Sequence, residues 1–243
     1  MPITGIDNKV IVQVCLTVED AAKSVDAYRK ILGWDIPDMY QITRFSDHTH
    51  AKYYGETTDA RALISGFDIG NIQYELLQPM GPPSAWQDHL DQQGDSIHHI
   101  AFFVSQIDQV AESFVEQGYQ ITQEGLFTGQ TGKYIYLDTD KDMGIVLELL
   151  EHFNSNPMPK GKPFPEDKGI GTDMVTQVGI IVHDIEATAH RISEVLGMPM
   201  PEPIQTPGYA IAKTTYMGEP SEATAKLAFF DLGQIQLELI EPD

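Results

Sequence analysis

The sequence predicts an α+β fold in which one strand–helix–strands unit is written three times. Three observations predict it. First, three apolar runs of strand length share an opening pattern: Gln13-Val14-Cys15-Leu16-Thr17-Val18, His99-Ile100-Ala101-Phe102-Phe103-Val104 and Gln177-Val178-Gly179-Ile180-Ile181-Val182. Second, each runs directly into a helix-like pattern. Third, each unit closes on a strand with a glutamate inside an apolar run: Ile72-Gln73-Tyr74-Glu75-Leu76-Leu77, Ile145-Val146-Leu147-Glu148-Leu149-Leu150 and Ile235-Gln236-Leu237-Glu238-Leu239-Ile240. From opening polar residue to closing glutamate the units run 62, 49 and 61 residues (13 to 75, 99 to 148, 177 to 238). A repeat of that length is a supersecondary unit that cannot bury its own face alone.

The opening strands come first. Alternate side chains of a strand share a face. His99, Ala101 and Phe103 therefore point one way, and Ile100, Phe102 and Val104 the other, toward a covering helix. Helices follow. Ala21, Val25, Tyr28 and Leu32 lie at steps of one helical face, and Ile185, Ala189, Ile192 and Leu196 repeat those steps. Leu32-Gly33 and Leu196-Gly197 are helix stops. An aspartate follows the valine by two residues in the first and third copies, where the second has Gln106.

Between the first helix and its closing strand, residues 40–45 and 51–54 read as strand ends around a loop. His48 and His50 on that loop have a metal-like spacing, but two histidines on a polar stretch read first as solvated. Arg44, Lys52 and Arg61 are nearby cations suited to an anionic substrate group, or simply surface charges. Met80-Gly81-Pro82-Pro83 breaks the chain before a short helix around 84–92, with Ser84 as its cap. Lys133 to Thr139 reads as a middle strand of the second unit, and Asp140 to Gly144 as the turn into the Glu148 strand. Residues 153–172, with four prolines and three glycines, are a linker. The third unit starts near Met174.

Composition sets bounds. The 243 residues allow one or two domains with a substantial core. Lys+Arg of 15 against Asp+Glu of 36 gives a formal charge of −21, which opposes binding to nucleic acid or an anionic membrane. Cys15 is the single cysteine, so no intrachain disulfide framework exists, as suits a reducing cytoplasm. Cys15 shares a strand face with Gln13 and reads as a small buried residue or, less simply, as a thiol near a pocket. No apolar run reaches spanning length, and the N-terminus lacks the pattern of a signal peptide.

These units resemble the vicinal oxygen chelate superfamily, which includes glyoxalase I, methylmalonyl-CoA epimerase, extradiol dioxygenases and bleomycin-resistance proteins. The stretch from Ser84-Ala85-Trp86 through His98-His99-Ile100 is most similar to the epimerase-like branch. The resemblance implies three βαβββ modules. The first two (7–80 and 95–152, within a domain 1–152) pair into a cup-shaped curved mixed sheet with helices outside. The third (173–243) is an unpaired half-cup.

If the first two modules pair, Gln13, Glu75, His99 and Glu148 all point into the enclosed side. Two carboxylates converging there need a counter-charge, which a divalent cation supplies. The alternative is four polar residues that bond one another in a metal-free cup. In the family the metal ligands occupy these four positions, and the Gln/Glu/His/Glu set resembles that of eukaryotic glyoxalase I. A nitrogen and three oxygens form a mixed set that does not distinguish Zn, Ni, Co, Mn or Mg. The expected chemistry is proton transfer next to a carbonyl, with Glu148 and Glu75 as acid–base candidates. That is the work of an isomerase, an epimerase or a lactoylglutathione-lyase-type lyase acting on a carbonyl, thioester or hemithioacetal. A metal-free binding or resistance protein and a ring-cleaving dioxygenase are the alternatives. Gln13 argues against the dioxygenase, whose family ligands are two histidines and a glutamate. The third module, lacking a histidine, is expected to join a second copy of the chain through residues 173–243, with Gln177 and Glu238 in a second cup of structural role. A monomer whose third module packs on the first two, or a fourth module beyond the chain, are the alternatives.

Overall fold

The computed structural model of the chain describes residues 6, 9–34, 36, 41–43, 49–81, 83–154 and 174–243. Arg44, His48 and most of the expected linker lie outside the described residues. None of the described helices is long and apolar enough to cross a membrane.

Each module begins as its sequence predicts. β1 (Ile11–Thr17) leads into α1 (Ala21–Leu32), β7 (Ser96–Phe103) into α3 (Ile107–Val115), and β11 (Gln177–Ile181) into α5 (Ile185–Leu196). Asp20 and Asp184 cap α1 and α5 by accepting from the backbone N–H of Lys23 and Ala187. Gln106 makes no side-chain cap. A second cap, reaching over from the closing strand, serves all three helices. Gln78 accepts from Ala21 N, Glu151 from Gln106 N and Ile107 N, and Glu241 from Ile185 N. Each lies three residues after its module's closing glutamate. Gly33 and Gly197 end α1 and α5 in left-handed conformations.

The closing strands are β6 (Ile72–Pro79), β10 (Val146–His152) and β16 (Gln236–Pro242), each parallel to the opening strand of its own module. β2 (Gln41–Thr43) and β5 (Ala62–Ile69) extend the first module; β8 (Ile121–Leu126) and β9 (Gly132–Leu137) extend the second. β1 and β7 pair antiparallel and join the modules. The resulting ten-stranded mixed sheet runs β2-β5-β6-β1-β7-β10-β9-β8-β3-β4. The two-residue strands β3 (Lys52–Tyr53) and β4 (Glu56–Thr57) belong to module one, yet β3 pairs with β8 of module two. Module one thus supplies both ends of the sheet. Helix α2 (Ala85–Gln93) connects the modules, capped by Ser84. The turn after β9 holds the short helix α4 (Asp140–Met143).

The third module forms its own sheet, β11-β16-β15-β12, with β12 (Ile204–Gln205) and β15 (Ala225–Asp231). Its helix side shares one core with the helix side of the paired modules. Val178, Ile180, Ile192 and Leu239 are buried together with Ile100, Phe102, Phe114 and Leu147. Hydrogen bonds from Asn71 Nδ2 to the carbonyls of Val175 and Gln234, 2.9 Å each, tie it to module one. Arg191 on α5 lies over the Tyr119 ring and pairs with Asp142 at 3.5 Å, tying it to module two. Its other face stays open, with Ile181 66% and Ile204 53% exposed. β11 is an edge strand among the described residues, where β1 and β7 are central.

Candidate functional site

The cup floor lies where β6, β1, β7 and β10 run side by side. Register places Cys15 between Glu75 and His99. Two residues along, Gln13 lies between Gln73 and Ala101, and Ala101 faces Glu148. These two rows share the cup face and hold all four sequence-predicted residues, Gln13, Glu75, His99 and Glu148.

They meet in one cluster. His99 Nε2 is 3.2 Å from Gln13 Oε1 and 3.0 Å from Glu148 Oε2. Gln13 Nε2 donates to Gln73 Oε1 at 2.6 Å and to Glu75 Oε2 at 3.4 Å. Gln13, His99 and Glu148 are buried, and Cys15 joins them fully enclosed. Cys15, Glu75 and His99 each offer one ligand atom, all within 4.8 Å of one another.

Two electrostatic facts describe the cluster. Burial pushes the Glu75 carboxyl up to about 7; His99 opposes this, Glu148 adds to it, and a hydrogen bond from Cys15 opposes it. Burial also pushes the Cys15 thiol well up, helped by Glu75 and Glu148. Negative charge is thus disfavoured at a floor that carries two carboxyls. Glu148 Oε2, despite its approach to His99, makes no hydrogen bond. Its one close contact among the described residues is His99 Nε2 at 3.0 Å, so the buried carboxylate is under-satisfied. A divalent cation would satisfy it and reverse both shifts, so the residues fit the metal that the resemblance implies.

A cavity of about 440 Å³ opens above the floor, with Gln13, Glu75 and Glu148 at its base. Aromatic walls, including Trp86, Phe127 and Tyr134, surround it. Among the described residues lining it there is no Lys or Arg. Lys52 instead pairs with Glu124 at 3.1 Å, and Arg61 is exposed outside the lining.

Sequence reasoning missed His98. Strict alternation puts it opposite His99, but the β1–β7 register shifts between Cys15–His99 and Leu16–Ile97. This bulge turns His98 to the cup side. Its Nδ1 lies 2.8 Å from His99 Nδ1, and its ring packs edge-on against Tyr136 and His89. Burial holds the His98 imidazole well below its usual range, with His99 and His89 acting the same way and the Ala85 backbone opposing. The adjacent histidine pair was the only signal of this arrangement.

In the third module, Gln177 Nε2 donates to Gln236 Oε1 at 3.0 Å, repeating the Gln13–Gln73 bond, but on an exposed face. Glu238 faces Gly179 across the pair.

A family model described as the glyoxalase/bleomycin resistance protein/dioxygenase superfamily matches residues 12–137. YqjC, an uncharacterized protein of Bacillus subtilis (strain 168), is 26% identical over 98 residues, 40% of this chain and 70% of that protein. A mutant of 4-hydroxymandelate synthase from Streptomyces coelicolor superposes with a TM-score of 0.61 at 18% identity. That superposition covers 100% of this chain and 64% of the synthase, so the chain spans less than two thirds of its length. Methylmalonyl-CoA epimerase from Mycobacterium tuberculosis gives 0.43 at 19% identity, over 59% of this chain and 87% of its own. The synthase likeness is one of fold, and it reaches across all three modules. With the family match extending over more than half of its residues, the chain belongs to the glyoxalase/bleomycin resistance protein/dioxygenase superfamily.

Proposed function

We propose that the cup is the active site of a metal-dependent enzyme that moves a proton on a carbon next to a carbonyl. One observation carries this reading: two carboxyl groups, Glu75 and Glu148, converge with His99 at the base of a cavity that offers no lysine or arginine among its described lining. Gln13, Glu75, His99 and Glu148 would hold the ion. Bound there, a divalent ion would supply a positive charge for the oxygen of a substrate carbonyl. Glu148 takes the substrate proton, because its carboxylate stands at the cavity base beside His99 and has no other partner at Oε2 among the described residues. Glu75, whose carboxyl titrates near neutrality without metal, returns or relays it. The aromatic walls exclude water and orient the substrate. Isomerase or epimerase action on a carbonyl compound or thioester, or lyase action on a hemithioacetal, follows from this arrangement.

Calorimetry with zinc, cobalt and manganese ions should give about one ion per chain, lost in His99→Ala. With a glutathione hemithioacetal or a branched acyl thioester in D₂O, deuterium should enter the carbon beside the carbonyl. Glu148→Gln should abolish that exchange more completely than substrate binding. Consumption of O₂ with a catechol would move the protein to ring-cleaving chemistry. Absence of any bound ion would leave a metal-free binding protein.

For the third module we infer a two-fold dimer. Within this chain the opening strands β1 and β7 pair antiparallel to complete a cup. The equivalent β11 is an unpaired edge beside an open apolar face among the described residues, and a second copy's β11 is its self-complementary partner. Residues 1–152 would then act as the catalytic unit and 173–243 as the joint between copies.

A further inference from the structure

Cys15 places sulfur where the repeat does not require it. Two residues after the opening polar residue, the second and third modules have Ala101 and Gly179. Ala101 occupies the symmetry-related place and is equally buried, so packing there is satisfied by a methyl group. Cys15 also stands at the centre of a row. Glu75 flanks it on β6 and His99 on β7, and the three ligand atoms lie within 4.8 Å of one another. Atoms bound to one tetrahedral ion stand roughly 3.3–4 Å apart, given bond lengths of about 2.0–2.3 Å. The 4.8 Å bound is therefore within about 1–1.5 Å of the spacing of a bound set. Independently, Glu148 Oε2 is buried without a hydrogen bond and lies 3.0 Å from His99 Nε2. Glu148 thus brings a second carboxylate to the same histidine.

We propose that Cys15 gives a sulfur donor to the ion held by His99 and Glu75, so that the centre selects zinc, cobalt or cadmium over magnesium and manganese. The proposal rests on the metal reading above and adds the class of metal. Thiolate is a soft ligand, and one sulfur beside an imidazole and a carboxylate shifts an otherwise nitrogen and oxygen set toward borderline and soft ions. The thiol proton leaves to solvent when the ion binds, so that the sulfur binds as thiolate.

The full-length chain loaded with Co²⁺ tests this. It should show the near-ultraviolet sulfur-to-cobalt charge-transfer absorption. Cys15→Ser, and separately Cys15→Ala, should lose that band while still retaining Co²⁺ through the other ligands. In competition titrations the two variants should bind Cd²⁺ at least about tenfold more weakly, with Mn²⁺ affinity changed by less than about twofold. Retained Co²⁺ without the band in the unaltered chain overturns the sulfur donor and leaves the metal reading intact. If the unaltered chain retains no Co²⁺, both fall. Two variants guard against a folding defect in either one, and far-ultraviolet circular dichroism checks each.

Discussion

His98 Nδ1 and His99 Nδ1 lie 2.8 Å apart, so one imidazole donates to the other. His98 is held neutral by its burial. With an ion on Nε2, where the oxygens of Gln13 and Glu148 converge, His99 would carry its proton on Nδ1 and donate it to His98. A ligand histidine held by its second nitrogen is fixed in tautomer and orientation. His98→Phe should therefore weaken divalent-ion binding roughly 10–100-fold without removing any atom of the proposed ligand set. Competition titration against a chelating dye measures this. Affinity equal to that of the unaltered chain would show that His98 only fills space.

Lys133 joins strand β9 to helix α3 and strand β8, with Nζ 2.6 Å from Asp108 Oδ1 and 2.8 Å from Glu124 Oε2. Burial alone would raise the Glu124 carboxyl, but Lys133 and Lys52 reverse this and hold it below its ordinary value. Stability from a lowered carboxyl is present above the unfolded value and is lost as pH falls through the native one. Lys133→Met should cost about 1 kcal/mol near pH 7. The deficit should shrink on acidification below the ordinary carboxylate range, as read by urea midpoints across pH. A deficit that stays constant with pH would assign the loss to packing of the lysine stem.

The third module docks against the turn after α4. Gly144 has φ +74°, and a Cβ there would stand 2.9 Å from Ile180 Cγ2 and 3.2 Å from Val182 Cγ1. Gly144→Val should therefore combine left-handed strain with a clash between modules, costing roughly 2–4 kcal/mol. Thermal unfolding should show the loss. A cost below about 1 kcal/mol would mean that the third module sits loosely on the second.

Sedimentation velocity of the full-length chain should give a dimer at micromolar concentration. Ile181→Lys, on the open face beside the β11 edge, should shift it to monomer with an unchanged circular dichroism spectrum. A full-length monomer in which Ile181 is unaltered would refute the joint between copies.

Much of this was legible because the repeat is written in apolar spacing. The offset of Val18, Val104 and Val182 marks three opening strands, and the glutamates inside apolar runs mark three closing ones. Those two patterns bring Gln13, Glu75, His99 and Glu148 to one floor. His98 was hidden, because a bulge breaks the period of two on which the reading depends. The caps from Gln78, Glu151 and Glu241 were hidden too, since each joins residues far apart in sequence. β3 and β4 are two-residue strands with polar or exposed members, too short for any period. The docking of the third module was undecided in the sequence. Val178, Ile180 and Val182 look the same whether they cover a helix alone or share a core with Phe102 and Leu147.

The placement of β3 and β4 bears on how a molecule gets into the cup. Module one pairs with module two at the central β1–β7 seam and again where β3 meets β8. A clamshell opening about the seam would tear the outer grip. A molecule entering the cavity with both pairings intact would pass over the rim, not between halves swung apart.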